Sequence, residues 1–506
     1  MKQLVLSLLL LLYLVLPAQQ SFGLDYADEE YDAMPMKATL TRSLYDDIPV
    51  SASLKAYCPP VGEQQFNDCV GWASSYAARS ILFNQKYHRT GDKVAIFSPT
   101  YLHRSVATNC GATAVTEKAL SFLKEVGTVP AQLLAYDCME NIPADSLKKW
   151  AATFRISEYE KLFSKDEQNA KTKLLKVKKA LAESRPVIIG MEVYKSFMDS
   201  KGLEVWTPVM GDQLIAGHAM VVVGYDDTKE GGAFEIMNSW GDDWGQKGFL
   251  WVKYAHFAAH VKRAYTMVID NSDNKEEEVY DGMPKADSIF DWGKVVPAPP
   301  VPASEPTARL SSFSGSFRLV MIDATEMAVT NTNKEEGMNI PNSNLAQIQV
   351  AKQGIPFYTT EKSYKNGTCF RIYAQNKQTA YVYVLSLDVN DHISCLFPYE
   401  KDMSPRLDYA QNEIALPDED YFIELGNPIG DEWMCVLYSK SKLNIESTMS
   451  EIAKTSGNLL ERVEKVFGES CVKAEDVQYD EDKAAFNAKI SQKMVVPLVI
   501  KMKHVE

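Results

Sequence analysis

A chain of 506 residues is too long to fold around one compact core, so two or more domains are expected. Its composition, 46% hydrophobic and 24% charged, is ordinary for a globular protein and carries no low-complexity bulk. A net charge of −14 with no dense basic tract argues against a nucleic-acid partner, because neutralising phosphates requires clustered Lys and Arg.

At the N-terminus, Lys2 precedes an apolar run from Leu4 to Leu16, closed by Pro17 and Ala18. About 13 apolar residues suit a secretory signal and fall short of the roughly 20 that span a bilayer. The expectation is a signal peptide over residues 1–23, cleaved between Ala18 and Gly23. The mature chain would then be secreted, or held in the periplasm or cell envelope, without a membrane span. Export permits disulfides. The cysteines are Cys58, Cys69, Cys110, Cys138, Cys369, Cys395, Cys435 and Cys471; if one is a nucleophile, an odd number remains and another thiol must be free.

Residues 24–47 are acidic and irregular. Periodic sequence runs from 48 to 271 and defines a first domain. Residues 272–309 turn acidic and then proline-rich ("VVPAPPVPASEP") and read as a linker. A short echo, "YDAMPMKA" at Tyr31 and "YDGMPKA" at Tyr280, flanks this first domain without forming a repeat array. Residues 310–506 change to short β-rich runs separated by turn residues, the texture of a sandwich or barrel. One helix is expected there, from about Met449 to Phe467, with Ile452, Leu459, Leu460, Val463 and Val466 on one stripe.

Three segments of the first domain suggest chemistry. In "FNDCVGWASSYAARS", Cys69 heads a helix. In "AGHAMVVVGYDD", His218 heads an apolar strand. In "FEIMNSWGDDWGQKGFLWV", Asn238 ends a strand before a Trp-Gly turn. Only a thiolate attacks, and a helix N-terminus stabilises that charge. An imidazole can take the thiol proton and return it to a leaving amine, once an amide oxygen orients its second nitrogen. Each of these residues alone is more often a packing residue.

Together with their surroundings these stretches resemble the papain family of cysteine peptidases. The Asn-Ser-Trp-Gly segment is the most specific match, and "VKKALAESRPVIIGMEVYKSF" resembles the helix and strand preceding the histidine. The resemblance implies an α+β, papain-like two-lobed catalytic domain. It makes Cys69 the nucleophile, His218 the general acid/base and Asn238 the orienting residue. Trp240 would shield the His–Asn hydrogen bond. It also implies an oxyanion-hole glutamine: Gln64 is preferred, Gln65 is the alternative, and Glu63 holds the ungapped position. Ala216, Gly217 and Ala219 would line a substrate subsite suited to an apolar side chain. Cys110 and Cys138 would form a disulfide. Asp68 departs from the small residue usual before the nucleophile; it is a natural helix N-cap, yet its charge would raise the Cys69 pKa. His256 and His260, one helical turn apart, lack a glutamate and a third ligand and are read as surface residues, so neither metal nor cofactor is expected.

The residues between the leader and Ile48 are too few for the family's usual inhibitory propeptide, although they could cross the cleft as an extended strip. Residues from about Phe317 to Lys440 resemble a small bacterial β-domain of unknown function, suggesting a mainly β, sandwich-like C-terminal domain and an envelope or protein partner for it. The function expected is hydrolysis of protein or peptide substrates through a thioester acyl-enzyme. The alternatives are a silent binding protein of the same fold and a cell-wall peptide amidase.

Overall fold

The computed structural model describes residues 22–38, 48–138, 144–269, 275–283, 311–332, 354–408, 413–417, 421–491 and 494–506. Residues 1–21 of the expected signal peptide and most of the linker lie outside them, whereas Phe22 and Gly23, at the end of the expected cleavage region, lie inside. Two compact units are present. The first comprises residues to Glu30, Val50–Tyr159 and Gln168–Ala298; the second comprises Tyr31–Pro49, Glu160–Glu167 and Pro299–Glu506.

The first unit has a helical part and a sheet part. The helical core gathers Phe83, Phe97, Tyr101, Leu133, Trp150 and Phe154. In the sheet, Val261–Val268, Val187–Tyr194, Leu214–Asp226, Ala233–Met237 and Phe249–Lys253 lie side by side. The central strands are continuous Val, Ile and Met runs because they are buried on both faces.

Part of the segment expected as linker is helical. Lys275–Asp281 is a helix packed into the first unit. Glu276 neutralises the fully buried guanidinium of Arg79 at 2.6 Å, and Tyr280 joins the rings of Phe83 and Phe97. Acidic composition reads as solvated linker only when no buried cation awaits it.

The echoed motif acquires a structural meaning here. Both copies place a short acidic helix, Asp28–Asp32 or Lys275–Asp281, before a buried Met. Tyr31 is buried in the second unit, where its hydroxyl donates to the Phe163 carbonyl at 2.6 Å. The Tyr280 hydroxyl accepts from the Ile96 N–H in the first. The two echoes thus give their tyrosines similar buried settings, Tyr31 in the second unit and Tyr280 in the first.

The second unit is mainly β, as expected. One sheet is built on the antiparallel pairs of Ser311–Met321 with Cys369–Asn376 and Ala485–Ile490. The other is built on Gly430–Ser439 between Ala380–Leu387 and Val495–Val505. The sheets share one core. Gly315 is where they approach closely: a Cβ there would lie 2.6 Å from the Tyr438 ring, whose hydroxyl donates to the Ser316 carbonyl. The single helix expected over Met449–Phe467 is instead two, Ile445–Lys454 and Leu459–Phe467. Gly457 at φ +120° breaks the run, and Asn458 restarts it through a capping box with Glu461. The apolar stripe is periodic across the break, so periodicity alone could not reveal it.

Candidate active site

Cys69 begins an unbroken helical run made of Cys69–Gly71, Trp72–Arg79 and Ser80–Lys86, its middle part wound with i→i+5 hydrogen bonds. The run is buried along most of its length, which its small residues permit. At Gly71 a Cβ would lie 2.6 Å from the Pro99 carbonyl oxygen, so only glycine lets the helix Pro99–Val106 approach. Asp68 occupies the N-cap position but its side chain caps nothing. Its carboxyl is buried instead, and desolvation pushes its pKa up to about 7 against the opposing influence of the nearby polar groups of Tyr136 and Trp72.

The loop before the nucleophile is held from two sides. Asn67 Nδ2 donates to the Gly111 carbonyl at 2.7 Å, and the Gln65 N–H donates to the Tyr136 hydroxyl at 2.7 Å. The segments carrying Gly111 and Tyr136 are joined by the disulfide Cys110–Cys138. The other six cysteines are free thiols.

His218 lies in the strand Leu214–Asp226, opposite Met191 of the neighbouring strand. Asn238 follows the strand Ala233–Met237, whose register against the His218 strand (Val221 opposite Met237) brings the two side chains together. His218 Nε2 is 2.9 Å from Asn238 Oδ1. The Ser239 N–H also donates to that oxygen at 2.8 Å, which fixes it as the amide oxygen. An oxygen that only accepts requires Nε2–H as donor, leaving the lone pair of His218 on Nδ1, which has no hydrogen-bond partner. The Ala219 N–H, one residue along, faces the Cys69 sulfur. The Trp240 ring stacks on the imidazole at 4.5 Å and 20°.

Gln64 is buried, whereas Glu63 and Gln65 are exposed. Its Oε1 accepts from Ser239 Oγ at 2.6 Å and its Nε2 donates to the Phe66 carbonyl at 3.0 Å, so its amide is aimed at the loop that delivers Cys69. Glycines shape the turn after Asn238; Gly245 has φ +58°, and a Cβ there would meet the Phe249 carbonyl oxygen at 2.3 Å. The subsite expected from Ala216, Gly217 and Ala219 is only partly of that kind. Ala216 and Gly217 are half-buried, but Ala219 is buried and reaches the site through its backbone. His256 and His260 set their rings edge-on against Trp206.

The extended strip that the sequence allowed across the cleft is present as a strap. Residues Phe22–Asp28 lie across the site. The Phe22 ring meets His218 at 5.8 Å and Trp240 at 5.6 Å, both edge to face. At Gly23 a Cβ would be 2.0 Å from the Asn67 carbonyl oxygen, and the Gly23 carbonyl accepts from the Ala114 N–H at 2.8 Å. Leu24–Asp25 then pairs in parallel with Ala114–Val115. Leu24 and Tyr26 cover Gly190 and Gly217, and Asp28 pairs with Arg263. Cys69 and His218 are consequently 0% exposed. Burial pushes the Cys69 thiol up to about 12 and the imidazole down to about 4, so under the strap the two groups are a neutral pair. The short segment's one sequence signal was the alternation of Phe22, Leu24 and Tyr26, too brief to distinguish from loop.

Residues 40–269 match the family model described as papain family cysteine protease, and residues 363–442 match a domain of unknown function (DUF4384). Among curated relatives, cathepsin B-like cysteine proteinase 3 of Ostertagia ostertagi is 30% identical over 115 residues, covering 22% of this chain and 65% of that protein. Cysteine proteinase B of Leishmania mexicana is 42% identical over 70 residues, 14% of this chain and 15% of that protein. The chain thus spans less than two thirds of these relatives. Among solved structures, xylellain, a cysteine protease from Xylella fastidiosa, aligns with a TM-score of 0.42 and 21% identity, over 51% of this chain and 99% of that one. Residues 40–269 thus match the papain family cysteine protease model and form a papain-like α+β domain, and the mainly β region after it carries the match to the domain of unknown function.

Proposed function

We propose that this chain is an exported, thiol-dependent peptidase whose site is closed by its own N-terminal strap. The observation that carries the reading is the His218–Asn238 hydrogen bond, which leaves the basic Nδ1 available on the strand that packs against Cys69. With the strap displaced, Nδ1 takes the Cys69 proton as Sγ attacks a peptide carbonyl carbon. The oxyanion receives hydrogen bonds from the Cys69 N–H and Gln64 Nε2. Collapse expels the amine, which takes the proton from His218 and leaves a thioester. Water then attacks that thioester, giving its proton to His218, and Cys69 departs with it to leave a free carboxylic acid. Asn238 keeps the imidazole in the tautomer this needs, and Trp240 keeps water off their hydrogen bond. The apolar leader and the Cys110–Cys138 disulfide support export to an oxidising compartment.

The test is alkylation of Cys69 by iodoacetamide from pH 4 to 9 in the full chain with a loosened strap (Leu24→Ala), with and without His218→Ala, together with release of peptides from casein. Fast labelling in acid that His218→Ala abolishes, with casein fragmentation, is expected. Labelling that rises only near pH 8.5, as for an ordinary thiol, overturns the mechanism. That outcome would favour the silent binding-protein reading, which the buried Asp68 carboxyl beside Cys69 supports. Release of stem peptides from cell wall, with casein intact, would instead identify the amidase.

A further inference from the structure

Beyond the triad, the cleft contains a cation that the proposed chemistry does not use. Arg263 lies opposite Gly190 in the sheet, and Gly190 lies opposite Ala219, so these three form one row next to His218. The register slips between Val261 and Arg263, a bulge of the kind that re-aims a side chain. Gly190 and Gly217 have no side chains, which opens a floor in front of Arg263. A Cβ at Gly190 would lie 3.0 Å from Leu24 Cδ2, 3.1 Å from Tyr26 Cε1 and 3.4 Å from Arg263 Cβ; one at Gly217 would lie 2.9 Å from Tyr26 Cε2. The strap fills this floor with Leu24 and Tyr26, the Tyr26 ring 5.5 Å from the guanidinium, and sets the Asp28 carboxylate on Arg263. Arg263 is 6% exposed whereas Asp28 is 63% exposed, so departure of the strap bares a guanidinium that was covered.

We propose that Arg263 determines specificity, making the floor bounded by Gly190, Gly217 and Ala219 a subsite for an acidic substrate side chain, with Asp28 standing in for it in the closed state. This rests on the peptidase reading. The charges around Arg263 are consistent with it. Lys262 is engaged by Glu192 at 3.2 Å. Glu117, on the helix beside the sheet, is buried, accepts from the Tyr265 hydroxyl at 2.7 Å and is held toward its neutral form by desolvation, against the opposing pull of that hydrogen bond and of the Arg263 charge. The purely apolar subsite expected from the sequence therefore gains a charged wall. The reason sequence reading missed it is that Arg263 follows His218 by many residues and reaches the floor only through strand pairing.

The test uses the full chain with Leu24→Ala and compares peptide substrates that differ only in Glu, Gln, Leu or Arg at each position on the acyl side of the cleaved bond. Expected at one position is a Glu over Gln preference in kcat/KM of about ten- to hundredfold, the range of a hydrogen-bonded charge pair, expressed mainly in KM. Arg263→Gln brings that ratio to about one, Arg263→Lys keeps part of it, and Arg263→Glu shifts preference to Arg. Ratios between substrates cancel any loss of folded protein. Equal rates for Glu and Gln at every position, or a ratio that survives Arg263→Gln, overturn the inference. Failure of all four substrates together with slow acid labelling of Cys69 overturns the peptidase reading itself, and this inference with it.

Discussion

If the strap closes the site, weakening its apolar seat must expose Cys69 by a calculable amount. Leu24 is 8% exposed, wedged onto Gly190 beside Tyr26. Replacing it with Ala removes branched carbon that is buried only while the strap is down. At about 0.8 kcal/mol per buried CH₂ the loss is about 2 kcal/mol. No enclosed cavity persists once the strap lifts, so the transfer term dominates. A change of about 2 kcal/mol multiplies the open fraction roughly thirtyfold, at 1.4 kcal/mol per decade. The exposed polar anchor counts for less. Lys118–Glu30 is a 3.6 Å pair with both side chains about half exposed, and such pairs contribute about 0–1 kcal/mol. The assay is the iodoacetamide rate at Cys69 read by peptide mass in the full chain, with the half-buried thiol Cys369 as internal reference. Leu24→Ala should accelerate Cys69 about thirtyfold and leave Cys369 unchanged, whereas Glu30→Gln should accelerate it less than fivefold. Equal Cys69 rates in wild type and Leu24→Ala would refute the closure.

Further outcomes are expected in the same Leu24→Ala background. Asn238→Ala removes the oxygen that fixes the His218 tautomer; kcat should fall tenfold or more, with KM nearly unchanged, in a peptide-cleavage assay. Asp68 has its folded pKa raised to about 7, so the stability tied to its protonated form is present in acid and is lost as pH rises through 7. Asp68→Asn should therefore unfold at nearly constant temperature between pH 5 and 8 where the parent declines. The same variant should label Cys69 faster than the parent only above about pH 7, because ionised Asp68 opposes the thiolate. Cys138→Ser opens a bridge of sequence separation 28, a loss of about 3–4 kcal/mol on loop entropy, measurable by denaturant titration, and it should also slow peptide cleavage because the loops holding Gln65 and Asn67 come apart.

The local elements that carry Cys69, His218, Asn238 and Trp240 were legible in the sequence because each sits inside a local text: a helix start, an apolar strand, a Trp-Gly turn. Local backbone preference and short-range hydrogen bonding dictate those contexts. The β character of the C-terminal region was legible for the same reason, through alternation and turn residues. Tertiary structure decided what depends on distant partners. Whether the acidic run at Lys275 was linker or helix turned on Arg79 lying buried across the fold. Whether Asp68 capped a helix or held a raised pKa turned on what covered it. The choice of Gln64 over its neighbours turned on Ser239. The strap and Arg263 belong to the same class: the sequence supplies a short alternating segment and one basic residue on a strand, but strand register and the absence of side chains at Gly190 and Gly217 place them over the nucleophile's cleft. Burial is a property of the whole assembled chain, and it is burial that decides which of these groups carry charge.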